Sequence, residues 1–125
     1  MSAWVLKQRR ALRIVADCRR QSNGVVSTQI LQEYFVTATR ELRVPAELTA
    51  GKTSILGRLH VLPPGLDDIL AAVDLHRLHG LSFWNALVVR SALVSGCVRL
   101  LTEDLQRGRQ FDRLEIVNPF APNRL

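Results

Sequence analysis

The sequence predicts an α/β domain in which short strands alternate with helices. A nearly all-apolar segment, residues 81–104, has helical character that changes to strand character before two acids. Short runs rich in valine, isoleucine and leucine occur at residues 25–26, 60–62 and 114–117, separated by segments of helical periodicity. Because a chain of 125 residues is long enough for one hydrophobic core, we expect a single domain, residues 1–125.

Residues that favour the start or the end of a helix divide the chain into predicted elements. Serine, threonine and aspartate favour helix starts, and glycine and proline favour helix ends. The predicted elements are a helix over residues 4–20, a strand at 25–26, a helix over 28–43, a weak helix over 46–58, an edge strand at 60–62, a helix opened by Asp67 and Asp68, a helix over 83–95, a buried strand over 98–102, a turn or short helix over 105–111 and a last strand over 114–117.

The apolar segment, LSFWNALVVRSALVSGCVRLLTED, carries the clearest pattern. Ser82 can cap its helix, and Gly96 suits the turn that ends this helix. The strand that follows ends in Glu103 and Asp104. Charged groups at the end of a buried strand are costly unless they have a partner, so we expect chemistry at these two acids.

The charge of the chain favours anionic partners. Seventeen lysines and arginines against eleven acids give a formal net charge of +6, which suits nucleic acid or an acidic protein segment equally. Arg9, Arg13 and Arg20 fall on one stripe of the first helix. This arginine stripe is either a solvated helix face or a surface for phosphate or partner contact.

Other residue patterns exclude several classes of protein. No apolar run reaches the roughly 18 residues of a membrane span, and the start MSAWVLKQRR lacks the order of a signal peptide. We therefore expect a cytoplasmic protein without membrane contact.

Cys18 and Cys97 lack ligand spacing and are expected to be small buried residues. His76 and His79 have the spacing of a metal pair, but the end of a helix also favours cations.

Three polar residues form a candidate site, although each has a structural alternative. Glu33 can be a solvated helix residue, Asn85 can reciprocate the Ser82 cap, and Asp104 can cap residues 105–111. Considered together, they lie near two helix starts and one strand end, which can converge at one edge of an α/β sheet. Carboxylates gathered there repel each other, and Mg²⁺ or Mn²⁺ relieves that repulsion.

Two blocks of the sequence resemble a known family. The segment LSFWNALVVRSALVSGCVRLLTEDLQRGRQF followed by LEIVNPF, and the earlier segment VVSTQILQEYFVTATREL, resemble PIN-domain proteins, particularly the VapC-type toxins of bacterial toxin–antitoxin pairs. The resemblance covers roughly residues 5–120. It implies a three-layer α/β domain with a short parallel sheet flanked by helices. It also implies an endoribonuclease dependent on Mg²⁺ or Mn²⁺, with the ion polarising the phosphate and activating a water.

The resemblance assigns roles to individual residues. Glu33 matches the acid of the second helix region, and Asp104 matches the acid after the late strand, so both are expected metal ligands and catalytic residues. Glu103, next to Asp104, does not match the family pattern and is expected to substitute as a metal ligand. Ser27 and Thr102 match hydroxyl residues that line such sites.

Two departures from the family pattern bear on activity. Asn85 stands where the family carries an aspartate after Phe-Trp, and an amide in place of a carboxylate lowers the expected metal affinity. The family also begins with a central strand that ends in an aspartate, whereas here the first helix begins almost at Met1. A start upstream of Met1, a decayed copy, or a strand supplied by a partner would each explain this difference.

The expected function is therefore that of a PIN-like endoribonuclease toxin with impaired activity, with Glu33, Asn85 and Asp104 in its site. The alternative is a catalytically silent PIN-like module that binds RNA, a cognate antitoxin protein or a second copy of itself as a homodimer. A third hypothesis is a structural domain whose acids serve only as helix caps.

Overall fold

The structure, a computed structural model, describes residues 3–106 and 108–120. These residues form a mixed α/β fold of five helices and five short strands. In chain order the elements are α1 (Ala3–Gln21), β1 (Val25–Ser27), α2 (Thr28–Arg40), α3 (Ala46–Leu56), β2 (His60–Leu62), α4 (Leu66–His79), α5 (Phe83–Val94), β3 (Arg99–Leu101), β4 (Gln110–Phe111) and β5 (Leu114–Val117). The predicted α/β class is therefore confirmed.

The strands form two separate small sheets instead of one. In the first sheet, β1 and β2 pair in parallel, with Val26 opposite Val61. In the second sheet, β5 lies between β3 and β4, parallel to β3 and antiparallel to β4. The connection from β1 to β2 passes through helices α2 and α3, whereas the connection from β3 to β5 passes through a loop and strand β4.

The hydrophobic core lies where α4 and α5 pack against β5. Ala72 of α4 and Ala86 and Val89 of α5 have no exposed surface, and their small size lets the two helices approach closely. Leu114 and Ile116 of β5 fill the other side of this core. An ion pair between Asp68 and Arg90 also joins α4 to α5.

Helices α2 and α5 contact β1 of the first sheet, and α3 packs against α2. The Ser27 hydroxyl accepts a hydrogen bond from the Ile30 backbone N–H and so caps α2. Gly24, before β1, lies so close to α1 that an added Cβ would stand 2.7 Å from Cys18 Cβ. Glycine at this position therefore permits the contact between the end of α1 and the start of the sheet.

Many predicted boundaries agree with the structure to within a few residues. β2 and β5 coincide with the predicted strands, and α5 begins at Phe83 with Ser82 as its cap. Gly96 has a positive φ of 74°, as expected for the turn that ends α5. α2 ends at Arg40, three residues before the predicted end, and Arg43 adopts a positive φ in the loop before Pro45.

The strand predicted over residues 98–102 is present as β3, but the prediction that it is buried is wrong. β3 spans only Arg99–Leu101, and the side chains of Val98 and Leu101 are 63% and 36% exposed. Leu100 packs against the core, but β3 has a strand partner on one edge alone among the described residues. The apolar composition of this segment thus does not correspond to burial.

The sequence predicts a turn or a short helix over residues 105–111, and the structure shows no helix in the described part of this segment. Its described residues contain turns and the two-residue strand β4, with no helix among them. Arg107 lies outside the described residues, whereas the guanidinium of Arg109 stacks on the Phe111 ring, 4.8 Å from its centroid. Since the described residues that follow Asp104 form no helix, the hypothesis that Asp104 caps a helix is wrong.

No helix in the described ranges has both the length and the apolar character that a membrane crossing requires.

The Asp68 carboxylate provides a test of the α4–α5 contact. The Gly65 backbone N–H and the Arg90 side chain, which both donate hydrogen bonds to it, hold the pKa of Asp68 below its ordinary value of 3.8. A lowered pKa in the folded state means that this stabilisation is present above the unfolded pKa and is lost as the pH falls through the folded pKa. We expect the free energy of unfolding to fall less between about pH 5 and pH 3 in Asp68→Asn than in the parent.

Urea unfolding at both pH values measures this difference. Asp67→Asn is the matched control, because Asp67 is the exposed neighbouring acid in the same helical turn. If Asp68→Asn retains the full pH dependence of the parent, the ion pair does not link α4 to α5 in solution.

Candidate functional site

The candidate site begins where α2 and α5 start. Gln29, in the first turn of α2, is 7% exposed. Its Nε2 donates to Glu33 Oε1 at 2.9 Å and to the Trp84 backbone carbonyl at 3.3 Å. Since Asn85 follows Trp84 directly, this one side chain joins the helix that carries Glu33 to the helix turn that carries Asn85.

The other polar atom of Gln29 has no partner. Both partners of Nε2 are acceptors, so the amide must direct its nitrogen toward them and its oxygen away. Gln29 Oε1 is then a buried acceptor without a donor among the described residues. Leaving a buried polar atom unsatisfied costs roughly 1–3 kcal/mol, and an amide oxygen is also a ligand that hard cations accept.

Asn85 has both a structural role and a free functional group. Its backbone N–H donates to the Ser82 hydroxyl at 3.1 Å, which confirms Ser82 as the cap of α5. The reciprocal bond expected from the Asn85 side chain is not found in the part of the chain that the structure describes. The half-buried amide of Asn85 is therefore available to a ligand.

The two acids after β3 are exposed. The backbone N–H of Asp104 donates to the Thr102 hydroxyl at 3.0 Å, which forms a local turn and leaves the carboxylate in solvent. Glu103 lies beside it, also with an exposed side chain. The Ser27 hydroxyl is already used as the cap of α2.

The structure thus brings together some of the predicted site residues. Gln29 connects Glu33 with the turn of Asn85, whereas no hydrogen bond or ion pair within residues 3–106 and 108–120 joins Asp104 to either of them. In these ranges no group of three or more histidines, cysteines, aspartates or glutamates has an arrangement that could hold a metal ion. The connected part offers the Glu33 carboxylate and the Asn85 amide oxygen, both ligands that a hard divalent cation accepts, whereas the Gln29 oxygen is directed away from Glu33.

The two histidines have structural contacts, and the two cysteines are free thiols. The His79 ring packs edge-on against Phe111, with centroids 5.1 Å apart, and a ring nitrogen of His76 contacts the Leu81 carbonyl. Cys18 and Cys97 are free and half-buried. Burial raises the pKa of the Cys97 thiol, which keeps it protonated near neutral pH.

No protein-family model matches the chain, and no curated protein sequence matches it.

Gln29 is the site residue that the sequence analysis did not find. Its position four residues before Glu33 places both side chains on one helix face. That spacing could have indicated a hydrogen bond between them. The contact with the Trp84 carbonyl joins residues 55 positions apart in the chain, and no local pattern reports it.

Replacement of Gln29 tests whether it joins the two helices. We expect Gln29→Ala to lower the free energy of unfolding by roughly 1–3 kcal/mol, because it removes both hydrogen bonds of a buried side chain. Gln32→Ala, an exposed position on the same helix, should change stability by less than about 0.5 kcal/mol. Equal effects of the two substitutions in urea unfolding would contradict the role of Gln29.

Proposed function

We propose that this chain is a PIN-like protein with a weakened Mg²⁺- or Mn²⁺-dependent endoribonuclease site, of the kind found in toxins of toxin–antitoxin pairs. The proposal rests on the resemblance of residues 25–42 and 81–120 to that family. The observation that carries it is the double hydrogen bond of Gln29, which connects Glu33 with the first turn of α5. The parallel pairing of β3 with β5 is compatible with the expected sheet.

The residues of the site have distinct roles in this proposal. When bound, a divalent ion supplies polarisation of the scissile phosphate and a more acidic water. Glu33 offers the carboxylate for such an ion, and Gln29 fixes the orientation of that carboxylate through Nε2. The amide of Asn85 adds a neutral oxygen ligand.

Asp104 and Glu103 supply the second acidic element. They stand in the exposed turn directly after β3, where either carboxylate is accessible to RNA or an ion. Since Asn85 contributes no negative charge, the site attracts a cation less strongly than a site with aspartate there. Weak activity that depends on the phosphates of the substrate to complete the ion's shell is the expected result.

Cleavage of structured RNA in the presence of Mn²⁺ tests the enzyme. We expect slow cleavage by the parent, no cleavage by Asp104→Ala, and cleavage faster by about tenfold or more in Asn85→Asp, because one added carboxylate favours the bound cation. Glu47→Ala, which removes an exposed acid from the first turn of α3, serves as the control and should match the parent. Absence of cleavage by both the parent and Asn85→Asp rules out the endoribonuclease.

A second candidate function is a silent binding module that retains the family's surfaces. Asn85 has no charge, and the described residues contain no metal-binding group of three acids, histidines or cysteines. Arg9 and Arg13 are exposed on one stripe of α1, while Arg20 on the same stripe pairs with Asp17. This arginine stripe suits RNA phosphates, and a cognate antitoxin or a second copy are further partners of such a module.

RNA binding measured over a range of salt concentrations tests the module. The double variant Arg9→Glu/Arg13→Glu should lose RNA affinity, and its affinity should depend less steeply on salt because fewer phosphates are neutralised. Arg40→Glu/Arg58→Glu changes the net charge equally at exposed positions outside the stripe. If both double variants lose the same affinity, only net charge drives binding, and the stripe is not a binding surface.

A further inference from the structure

The aromatic side chain of Trp84 is largely open to solvent. It is 60% exposed, although it lies in the first turn of α5, a helix whose other residues form much of the core. The other exposed large apolar residue of α5 is Val94, at the far end of the helix. Ser82, just before α5, is exposed, and Asn85 is half-buried. On α5, Trp84 is therefore an isolated aromatic ring with polar neighbours, and not part of an apolar patch.

The backbone and the ring of Trp84 both have partners that hold them in place. The Phe83 ring packs against the indole with centroids 5.3 Å apart and an angle of 73° between the ring planes. A contact of this kind uses the edge of one ring, so it covers at most one face of the indole. The Trp84 carbonyl accepts a hydrogen bond from Gln29 Nε2 at 3.3 Å. The structure thus presents one indole face to solvent, at a fixed place beside α2.

The hydrogen bonds of Gln29 also bring Trp84 next to Glu33. Gln29 Nε2 donates to Glu33 Oε1 at 2.9 Å, so this carboxylate and the Trp84 carbonyl contact the same nitrogen atom. The two acceptors therefore lie within two hydrogen-bond lengths of each other. A base that stacks on the indole belongs to a nucleotide next to a phosphate bound at Glu33.

Basic side chains lie at the turn that leads into α5. Arg109 Nη2 donates to the His79 carbonyl at 3.4 Å, which places its guanidinium at the turn of residues 80–82. Arg77 and His79, in the last turn of α4, have exposed side chains. Because cationic groups attract phosphates, this end of α5 favours a polyanion. The surroundings of Trp84 therefore suit a nucleic acid better than an apolar protein surface.

We propose that Trp84 stacks an unpaired nucleobase of the RNA beside the phosphate at Glu33, so that the substrate is RNA in single-stranded or loop form. This assignment rests on the proposed RNA-cleaving site. Bases inside a duplex are already stacked, whereas an unpaired base can turn outward and lie on an aromatic ring. Every base has such a face, so Trp84 selects unpaired RNA without selecting a sequence.

The fluorescence of Trp84 tests the proposal without requiring cleavage. The sequence contains two tryptophans, Trp4 and Trp84, so the full chain with Trp4→Phe has Trp84 as its one indole. We expect a six-nucleotide oligouridine, in Mg²⁺ and low salt, to cause a saturable loss of this emission, because a stacked base quenches indole. A hexamer of abasic nucleotides has the same phosphates and no bases, and a closed RNA duplex has no unpaired bases. Neither should quench Trp84.

Substitutions at Trp84 separate stacking from charge. Trp84→Ala should weaken the binding of oligouridine by about fivefold to a hundredfold, the effect of losing one base stacked on an aromatic side chain. Trp84→Phe keeps an aromatic face and should bind more tightly than Trp84→Ala. Leu66→Ala is the control, because it removes an apolar side chain that is 69% exposed at the opposite end of α4. Urea unfolding verifies that all three variants are folded.

The positions of cleavage provide a second readout. In an RNA that contains both stems and loops, cuts by the parent or by Asn85→Asp should fall in unpaired segments, and Trp84→Ala should lower their rate at limiting RNA. Cuts within paired stems would overturn the proposal.

The outcomes distinguish base stacking from nuclease activity. Quenching by oligouridine without cleavage of any RNA supports base stacking and contradicts the nuclease. Cleavage that Trp84→Ala retains in full, without quenching in the parent, contradicts base stacking alone. Equal binding of the abasic hexamer also overturns base stacking. Emission that changes with protein concentration and not with RNA overturns it as well, because Trp84 then contacts a second copy of the chain.

Discussion

The packing of α5 is the constraint on which the rest of the structure depends. One side of this helix contacts α4 through alanine and valine residues without exposed surface, and the helix also contacts β1 and β3. Because the two sheets do not pair with each other, α5 is the element that relates them. Its position also sets the place of the candidate site, since the Ser82 cap begins α5 beside the Gln29 side chain.

The site combines a well-fixed part with an accessible part. Glu33 and the turn of Asn85 are held by a buried glutamine, whereas Asp104 lies in an exposed turn that one hydroxyl supports. Glu33 is exposed as Asp104 is, but its carboxylate accepts the Gln29 hydrogen bond and so loses less conformational entropy when a ligand binds. Glu33 and Asp104 therefore contribute unequally to the binding of a ligand. Gln29, which holds Glu33 in place, is as important to the site as the acids are.

Local chemistry explains what the sequence could predict, and long-range contacts explain what it could not. Ser27 and Ser82 are caps whose action depends on residues three positions away, and both helix starts were predicted correctly. Burial of β3 was predicted wrongly because apolar composition does not reveal whether another element covers a strand. The contact of Gln29 with the Trp84 carbonyl and the division into two sheets both depend on residues distant in the chain.

The turn between β4 and β5 has a consequence for the order of folding. It contains only Asp112 and Arg113, with Asp112 at a positive φ of 57°, a conformation that aspartate adopts more readily than most residues. This hairpin can form from neighbouring residues, whereas β1 must find β2 across an intervening stretch of more than thirty residues. We therefore expect the hairpin and the adjacent α4–α5 pair to assemble first and the sheet of β1 and β2 to form last.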